Sequence, residues 1–504
     1  MQCGANLDGI SDMRRAVVMN QPNTQISSGI FISLGTQAIR LFLQLAGLAV
    51  YSRVLKPEVF GLFSIAILLS SFSQIFLDAG FSQAIIQREK INQELVSAVY
   101  WINVFVGVIL CLFVSFCAPL VSLFFDDSRL TLLVILLSLP LIIVSFSLQH
   151  RALFHRQMRF VPVAISDVLS ASCAFVAGVA CASAGGGVWA LVVHQLMLAL
   201  VSSASLIVWS DWRPGKFCMA TGLRETLSFG AHLSGFSIVN YLVRNADNFI
   251  IGKWMGMASL GFYTRAYQLL ILPTQQIAGP LTPVVVSRLS RLQMDANAYR
   301  SFYLKSLERL ALVTVPLVAW MILSAPMLVA VILGPEWGSV VKIFWALAPA
   351  ALIGAVSVSG GWLYSSWGHV HVQFRWNIIV SIVTLLAFVI GSRFGVIGVA
   401  LSFSISQIFL RVPGWLVCLR GTPVSFKSVL KALARPYGLS AATSLIVILL
   451  MGLPIPVTLP ILSMTYIGVF LGLMSLFPDA RAWWGIGCRW LLTNGKILYL
   501  NYLC

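Results

Sequence analysis

The chain has 504 residues, of which 59% are hydrophobic and only 10% are charged, and its formal net charge is +17. The mean hydropathy of +0.91 excludes a soluble globular domain, because runs of about 20 apolar residues recur and each can cross a bilayer as a helix. The basic residues do not indicate a nucleic-acid partner, because they fall between the apolar runs, where membrane orientation explains them.

The apolar runs predict an all-α integral membrane protein with about 14 transmembrane helices. The nine cysteines form no C-x-x-C pair, so neither a metal site nor a disulfide is predicted from them, and the sequence predicts no cofactor. The polar N-terminus has no apolar segment typical of a cleaved signal peptide. The predicted order is a cytoplasmic tail (1–28), helices 1–6 (29–209), a cytoplasmic linker (210–229), helices 7–12 (230–418), helices 13–14 (419–477) and a cytoplasmic tail (478–504).

The two groups of six helices resemble each other at an offset of 200 residues. FGLF at 60–63 corresponds to LGFY at 260–263, and Arg88 corresponds to Arg288. Six spans separate the copies, so both have the same orientation in the membrane. The sequence therefore predicts two parallel six-helix lobes related by an axis along the membrane normal.

A polar stripe marks the first helix of each lobe. In the first lobe it contains Ser33, Gln37, Arg40, Gln44 and Tyr51, and in the second it contains Asn240, Arg244, Asp247 and Ile251. A charge at bilayer depth costs at least about 2.5 kcal/mol, so such residues indicate a functional site. Guanidinium groups suit a phosphate or carboxylate, and amides suit sugar hydroxyls. The predicted substrate-binding residues are Arg40, Gln44, Asn240, Arg244, Asp247 and Arg265.

Simpler roles compete with this interpretation. Arg244 and Asp247 are three residues apart and can neutralise each other on one helix. Arg265 lies near the end of its span and can extend to the outer interface. Asp78 and Asp167 are candidates for coupling transport to H⁺ or Na⁺, although Asp78 can equally satisfy nearby backbone amides.

The basic residues also predict the orientation. Of the 33 Lys and Arg residues, 23 fall in the tails and in alternate loops, and six fall in the opposite loops. This bias places both termini in the cytoplasm. No loop is long enough for a catalytic domain and no G-x-x-x-x-G-K-[ST] motif is present. A non-enzymatic transporter that does not hydrolyse ATP is therefore predicted.

Two segments carry a resemblance to a known family: 60–88, which contains FGLFSIAILLSSF, and 245–277, which contains LGFY and ends in LPTQQI. They resemble the Wzx-type polysaccharide flippases, in the branch of the colanic acid and succinoglycan exporters, within the MOP superfamily. FGLF in the first lobe is a looser match than LGFY in the second.

The resemblance implies a MATE-like arrangement of two six-helix lobes around a central cavity, with two C-terminal helices. It also implies a multi-pass protein of the bacterial inner membrane. The implied substrate is an oligosaccharide on undecaprenyl diphosphate, for exopolysaccharide or lipopolysaccharide synthesis. The implied partners are membrane lipid, a coupling ion, and a polysaccharide polymerase with its export machinery. Nucleic acid is not among them.

Three alternatives remain open from the sequence. A drug or cation antiporter of the same superfamily would favour an anionic cavity, whereas the charges within these spans are mainly cationic. A polysaccharide polymerase or lipid-linked glycosyltransferase would usually carry a large extramembrane loop. A scaffold without transport activity would not need arginines at bilayer depth.

Overall fold

The computed structural model describes residues 24–78, 82, 85, 91–218, 241, 244–452 and 458–476, with the backbone alone at 24–34, 78, 272–273 and 370. These residues form helices and connecting turns and contain no β-strand. The helices are α1 (Thr24–Val54), α2 (Pro57–Asp78), α3 (Gln93–Phe125), α4 (Arg129–Ser145), α5 (Leu148–Arg156), α6 (Phe160–Ser183), α7 (Trp189–Trp209), α8 (Ala246–Met255), α9 (Met257–Arg291), α10 (Ala296–Leu323), α11 (Ala325–Ile332), α12 (Gly338–Gly354), α13 (Val358–Trp367), α14 (Val370–Ser392), α15 (Gly395–Leu419), α16 (Phe426–Met451) and α17 (Leu459–Ser475).

The predicted all-α membrane class is confirmed. Within the described residues, nine helices are long and apolar enough to cross a membrane, or up to eleven if each of two bent helix pairs forms one span. The count of 14 stays a prediction, because the described residues omit most of 230–252, where the predicted helices 7–12 begin.

Helix α3 illustrates why a bilayer suits these elements. Large apolar side chains such as Phe105, Phe113 and Phe116 are exposed along its length. An exposed apolar face of this kind matches hydrocarbon, and a continuous helix satisfies its own backbone groups there. The helix ends where Asp126 adopts a left-handed conformation with φ 56 and its N–H bonds to the Leu123 carbonyl.

The chain divides into two compact units. The first contains Met1–Thr264, Ile332–Gly334 and Ser381–Val399, and the second contains the rest. The division falls inside α9, so the first two turns of that helix belong to the first unit. The predicted domain boundaries stay predictions.

Small polar residues connect the helices of the first unit. The hydroxyls of Ser166 and Ser205 lie 2.6 Å apart between α6 and α7, and the Cys111 Sγ lies 3.1 Å from the Ser138 Oγ between α3 and α4. In a membrane, helices associate through close packing and hydrogen bonds, because lipid removes the hydrophobic drive between them.

Gly178 makes room for a polar contact in the same unit. A Cβ at this position would overlap the hydroxyl of Tyr51, which lies on α1. That hydroxyl is 3.0 Å from Nδ1 of His194 on α7, and the two rings meet edge to face. A side chain at 178 would therefore displace the link between α1 and α7.

The second unit has an aromatic core. Tyr299, Tyr303 and Trp362 are almost completely buried, and the Tyr299 hydroxyl lies 2.7 Å from the Ser366 Oγ. Buried hydroxyls need such partners because no water reaches them. This core links α9, α10, α13 and α15.

Candidate functional site

One carboxylate in the first unit lies between two guanidinium groups. Nη1 of Arg40 is 3.0 Å from Oδ2 of Asp167, and Nη2 of Arg151 is 2.7 Å from Oδ1. The Arg151 guanidinium also donates to Ser202 Oγ at 3.3 Å. The structure thus brings together Arg40 and Asp167, which the sequence predicted as separate site residues.

The local fold explains how these residues meet. Arg40 lies in the middle of the long helix α1, and Asp167 lies two turns into α6. Helices α4 and α5 meet at an angle of 43°, and Arg151 lies in the first turn of the short helix α5. The bend therefore makes α5 a separate short helix, and this helix places Arg151 beside Asp167.

The cluster carries one positive charge in excess, because two guanidinium groups share one carboxylate. Its side chains are only partly covered: 41% of Arg40, 35% of Arg151 and 20% of Asp167 remain exposed. Each guanidinium has five N–H donors in a planar fork. The excess positive charge therefore suits a further anion, and phosphate oxygens match the fork.

Asp247 has a different environment from the one expected. It is 5% exposed, and its Oδ2 accepts a hydrogen bond from the hydroxyl of Tyr263 at 2.8 Å. Its Oδ1 accepts from the backbone N–H of Asn248. Asp247 thus belongs to a buried link between α8 and the LGFY segment of α9.

Arg244 does not share the buried face of Asp247, contrary to the predicted stripe. Helix α8 begins only at Ala246, after Asn245 leaves the helical conformation with φ −119 and ψ 6. Arg244 is exposed and, within the described part of the chain, has no ion pair. The intrahelical pairing of Arg244 with Asp247 is therefore absent, because the helix does not run through both residues.

The other predicted site residues are dispersed. Gln44 lies one turn after Arg40 and is exposed. Arg265 belongs to the second unit, where its Nη1 donates to Oε1 of Gln268 at 2.6 Å. Asp78 is the last residue of α2 and its side chain lies outside the described residues, as does the whole of Asn240.

Arg151 is the residue of this cluster that sequence reasoning missed. It was counted among the loop residues that set the orientation. The available signal was Asp167 itself, because an acidic residue within a span requires a cationic partner. The partner could not be identified by spacing, since Arg151 and Asp167 belong to different helices.

The helical fold and its membrane-length helices agree with solved transporter structures. The lipid II flippase MurJ, in an inward closed conformation, aligns with a TM-score of 0.73, covering 90% of this chain and 99% of that chain at 15% identity. An inward-facing multidrug resistance MATE family transporter aligns with a TM-score of 0.60, covering 80% of this chain and 99% of that chain, also at 15% identity. The protein is therefore an integral membrane protein with the fold that these two transporters share.

Sequence comparison identifies the family. The chain belongs to the family described as polysaccharide biosynthesis protein, which matches residues 50–342. It is 24% identical over 441 residues to the lipopolysaccharide biosynthesis protein WzxC of Escherichia coli (strain K12), covering 86% of this chain and 87% of that protein. It is 27% identical to the amylovoran biosynthesis protein AmsL of Erwinia amylovora, covering 66% of this chain and 86% of that protein.

Proposed function

We propose that the protein moves undecaprenyl-diphosphate-linked oligosaccharide repeat units across the bacterial inner membrane by alternating access. Family membership supports a role in polysaccharide synthesis, and the transporter fold supports movement of a substrate without covalent chemistry. The translocated repeat unit would enter exopolysaccharide or lipopolysaccharide synthesis. Both termini would be cytoplasmic, and a polymerase with its export machinery would act on the delivered unit.

The excess positive charge around Asp167 carries this proposal. A diphosphate lies between the lipid and the sugar of such a substrate, and an unpaired anion in an apolar medium is very costly. Arg40 and Arg151 offer two partly exposed guanidinium groups for one carboxylate. A cationic drug would be repelled by the same charge, so the antiporter alternative is less well supported.

We assign Asp167 the role of a resident counter-ion. In the described conformation its two oxygens occupy both arginines. A phosphate group entering the cluster would take over hydrogen bonds that Asp167 now accepts. Paired charges are tolerated in membranes far better than isolated ones, so this exchange would keep the arginines neutralised before and after substrate release.

The same carboxylate suits ion coupling. A proton on Asp167 would remove its negative charge and release both guanidinium groups for the substrate, so that proton binding and substrate binding would favour each other. Na⁺ would meet the same excess positive charge that repels a cationic drug, so H⁺ is the better-supported coupling ion at this residue. Asp78 remains a second coupling candidate, and Gln44, Asn240, Arg244, Asp247 and Arg265 remain proposed residues of the substrate path.

A transport assay with purified protein in liposomes tests the function. The substrate is undecaprenyl-diphosphate-linked oligosaccharide, and its arrival in the opposite leaflet is followed by cleavage with an added glycosidase that cannot cross the bilayer. Arg40→Ala should abolish transport, and Arg40→Lys should restore only part of it, because lysine keeps the charge but loses the fork. Arg291→Ala, at the exposed end of α9, is the control.

Two results would decide against the proposal. Full transport by Arg40→Ala would remove the cationic cluster from the mechanism. Transport of an organic cation, with no movement of the lipid-linked oligosaccharide, would favour the antiporter. Collapse of the H⁺ or Na⁺ gradient in the same liposomes would show whether either ion is coupled.

A further inference from the structure

The two glycines of the internal repeat lie at one crossing point. A Cβ on Gly61 would stand 2.6 Å from the carbonyl carbon of Met257 and closer still to its oxygen. A Cβ on Gly261 would stand 2.7 Å from the carbonyl carbon of Pro57 and again closer to its oxygen. All four residues belong to the first unit, so the start of α2 crosses the start of α9 with direct backbone contact.

The contact is reciprocal. Pro57 and Met257 are 200 residues apart, as are Gly61 and Gly261. Gly61 faces Met257, and Gly261 faces the repeat-related Pro57. Exchanging the two helices therefore reproduces the same contact, which is the property of a two-fold symmetric interface. This is the local geometry that a parallel repeat around an axis along the membrane normal requires.

Only glycine fits at these two positions. The opposing atoms are backbone carbonyls, which cannot rotate away as a flexible side chain could. The glycine Cα–H groups instead face these carbonyl oxygens, as in the weak Cα–H···O contacts of closely packed helices. Small residues permit such approach in membranes, where packing replaces the hydrophobic drive.

The ion pairs formed by Lys253 and Arg129 lie beside the crossing and do not join α2 to α9. Lys253 Nζ lies 2.7 Å from Oδ2 of Asp126, whose side chain is 80% exposed. Arg129, which is 55% exposed, bonds to Asp127 at 2.7 Å and also to Glu58. Exposed ion pairs contribute little to stability. These pairs therefore add little to the contact between α2 and α9, which rests on the close approach of the two backbones.

We infer that this glycine crossing closes the predicted outer side of the protein and separates and re-forms during each transport cycle. The inference rests on the proposed function, since alternating access requires a closure on each side. Arg53, Lys56 and Lys253 at this end belong to the set of loops with only six basic residues, which the predicted orientation places on the outer side. Gly61 and Gly261 would then set how completely that side shuts.

Spin-label distances test the inference without depending on transport. Val54 and Trp254 are repeat-related residues just before the crossing, and they are 50% and 65% exposed, so both accept a label. The labels are attached to cysteines at these positions in a chain whose native cysteines are replaced. Pulsed electron paramagnetic resonance on protein in lipid nanodiscs then gives the distribution of distances between the two labels.

Gly61→Ala and Gly261→Ala should each shift the population from the short to a longer distance, on the order of tenfold, because an inserted methyl group forces the backbones apart. The reciprocal contact predicts similar shifts for the two variants, and both should slow transport. Gly279→Ala is the matched control, since it lies on the same helix as Gly261 with no atom within 4 Å of the added Cβ.

Wild-type distances in both alanine variants would overturn the inference, as would longer distances with an unchanged transport rate. The unsubstituted chain supplies a measurement that does not depend on variant folding. Lipid-linked oligosaccharide should add a longer distance to its distribution, and one short distance under every condition would also overturn the inference. A wild-type chain that moves no oligosaccharide would refute the proposed function. The label distances in Gly61→Ala and Gly261→Ala would still show whether the crossing holds the ends of α2 and α9 together.

Discussion

Asp167→Asn tests the charge cluster most directly, because asparagine keeps the shape of the side chain and removes its charge. Two charge-assisted hydrogen bonds, at 3.0 Å from Arg40 and 2.7 Å from Arg151, lose their anionic acceptor. The substitution also leaves two like charges close together. Both effects should destabilise the folded protein.

The size of the effect follows from exposure. A hydrogen bond to a charged group contributes about 1.5–3 kcal/mol when buried, and an exposed ion pair contributes about 0–1 kcal/mol. Arg40 and Arg151 are 41% and 35% exposed, so each contact should lie between these ranges, near 1 kcal/mol. Asp167→Asn should therefore cost about 2 kcal/mol, and Arg40→Ala or Arg151→Ala about half as much.

A double-mutant cycle on Arg40 and Asp167 isolates their interaction. The purified chain is unfolded in mixed micelles, and the free energies of the wild type, both single variants and the double variant are compared under identical conditions. The coupling energy should be about 1 kcal/mol, because Arg40→Ala has little further effect once the carboxylate is gone. Effects that add within about 0.3–0.5 kcal/mol would refute the interaction.

The Asp167→Asn variant also tests the role of Asp167 in transport. If Asp167 acts as a resident counter-ion, Asp167→Asn should still bind the diphosphate substrate but should lose its response to the coupling ion. Binding and transport are measured separately in the liposome assay. Unchanged dependence on the ion gradient in Asp167→Asn would assign coupling to another residue.

Three further predictions concern other parts of the chain. Tyr263→Phe should lower the free energy of unfolding by about 2 kcal/mol, because the buried carboxylate of Asp247 loses a donor; a loss below about 0.5 kcal/mol in the same micelle assay would contradict the buried link. Hydrogen bonding to Arg129 lowers the pKa of Asp127 in the folded protein. The Asp127 carboxylate therefore stabilises the folded protein above the pKa that Asp127 has in the unfolded chain, and this stabilisation is lost as pH falls through its lower pKa in the folded protein. Thermal midpoints measured from pH 7 to pH 3 should therefore fall less at the acid end for Asp127→Asn than for the wild type, and parallel curves would exclude this contribution. A reporter fused after Leu292 should be cytoplasmic, and a periplasmic signal there would refute the two-lobe orientation.

The apolar runs of the sequence predicted the membrane class, because the length and composition of a span are local properties. The repeat also followed from the sequence, since FGLF and LGFY recur at a constant offset. Their contact did not follow, because an offset says nothing about whether two copies touch. The structure adds that Gly61 and Gly261 each face the backbone of the opposite copy.

The candidate site was less accessible to sequence reasoning for two physical reasons. Arg40 and Asp167 are 127 residues apart, and a partner on another helix leaves no pattern in the local sequence. The stripe through Arg244 and Asp247 assumed an uninterrupted helix, whereas Asn245 leaves the helical conformation before α8. Helical spacing aligns side chains only while the helix continues, so Arg244 and Asp247 do not share one face across Asn245.

Gly178 has a consequence for how this sequence can change over evolutionary time. The Tyr51 hydroxyl occupies the volume that a methyl group at 178 would need, so the two positions are constrained jointly. Alanine at 178 becomes tolerable only after Tyr51 loses its hydroxyl, and even then the methyl group lies 3.1 Å from the Ala190 carbonyl oxygen. The order of substitutions therefore matters: a lineage that changes Tyr51 to Phe first can later accept alanine, while the reverse order passes through an intermediate with overlapping atoms.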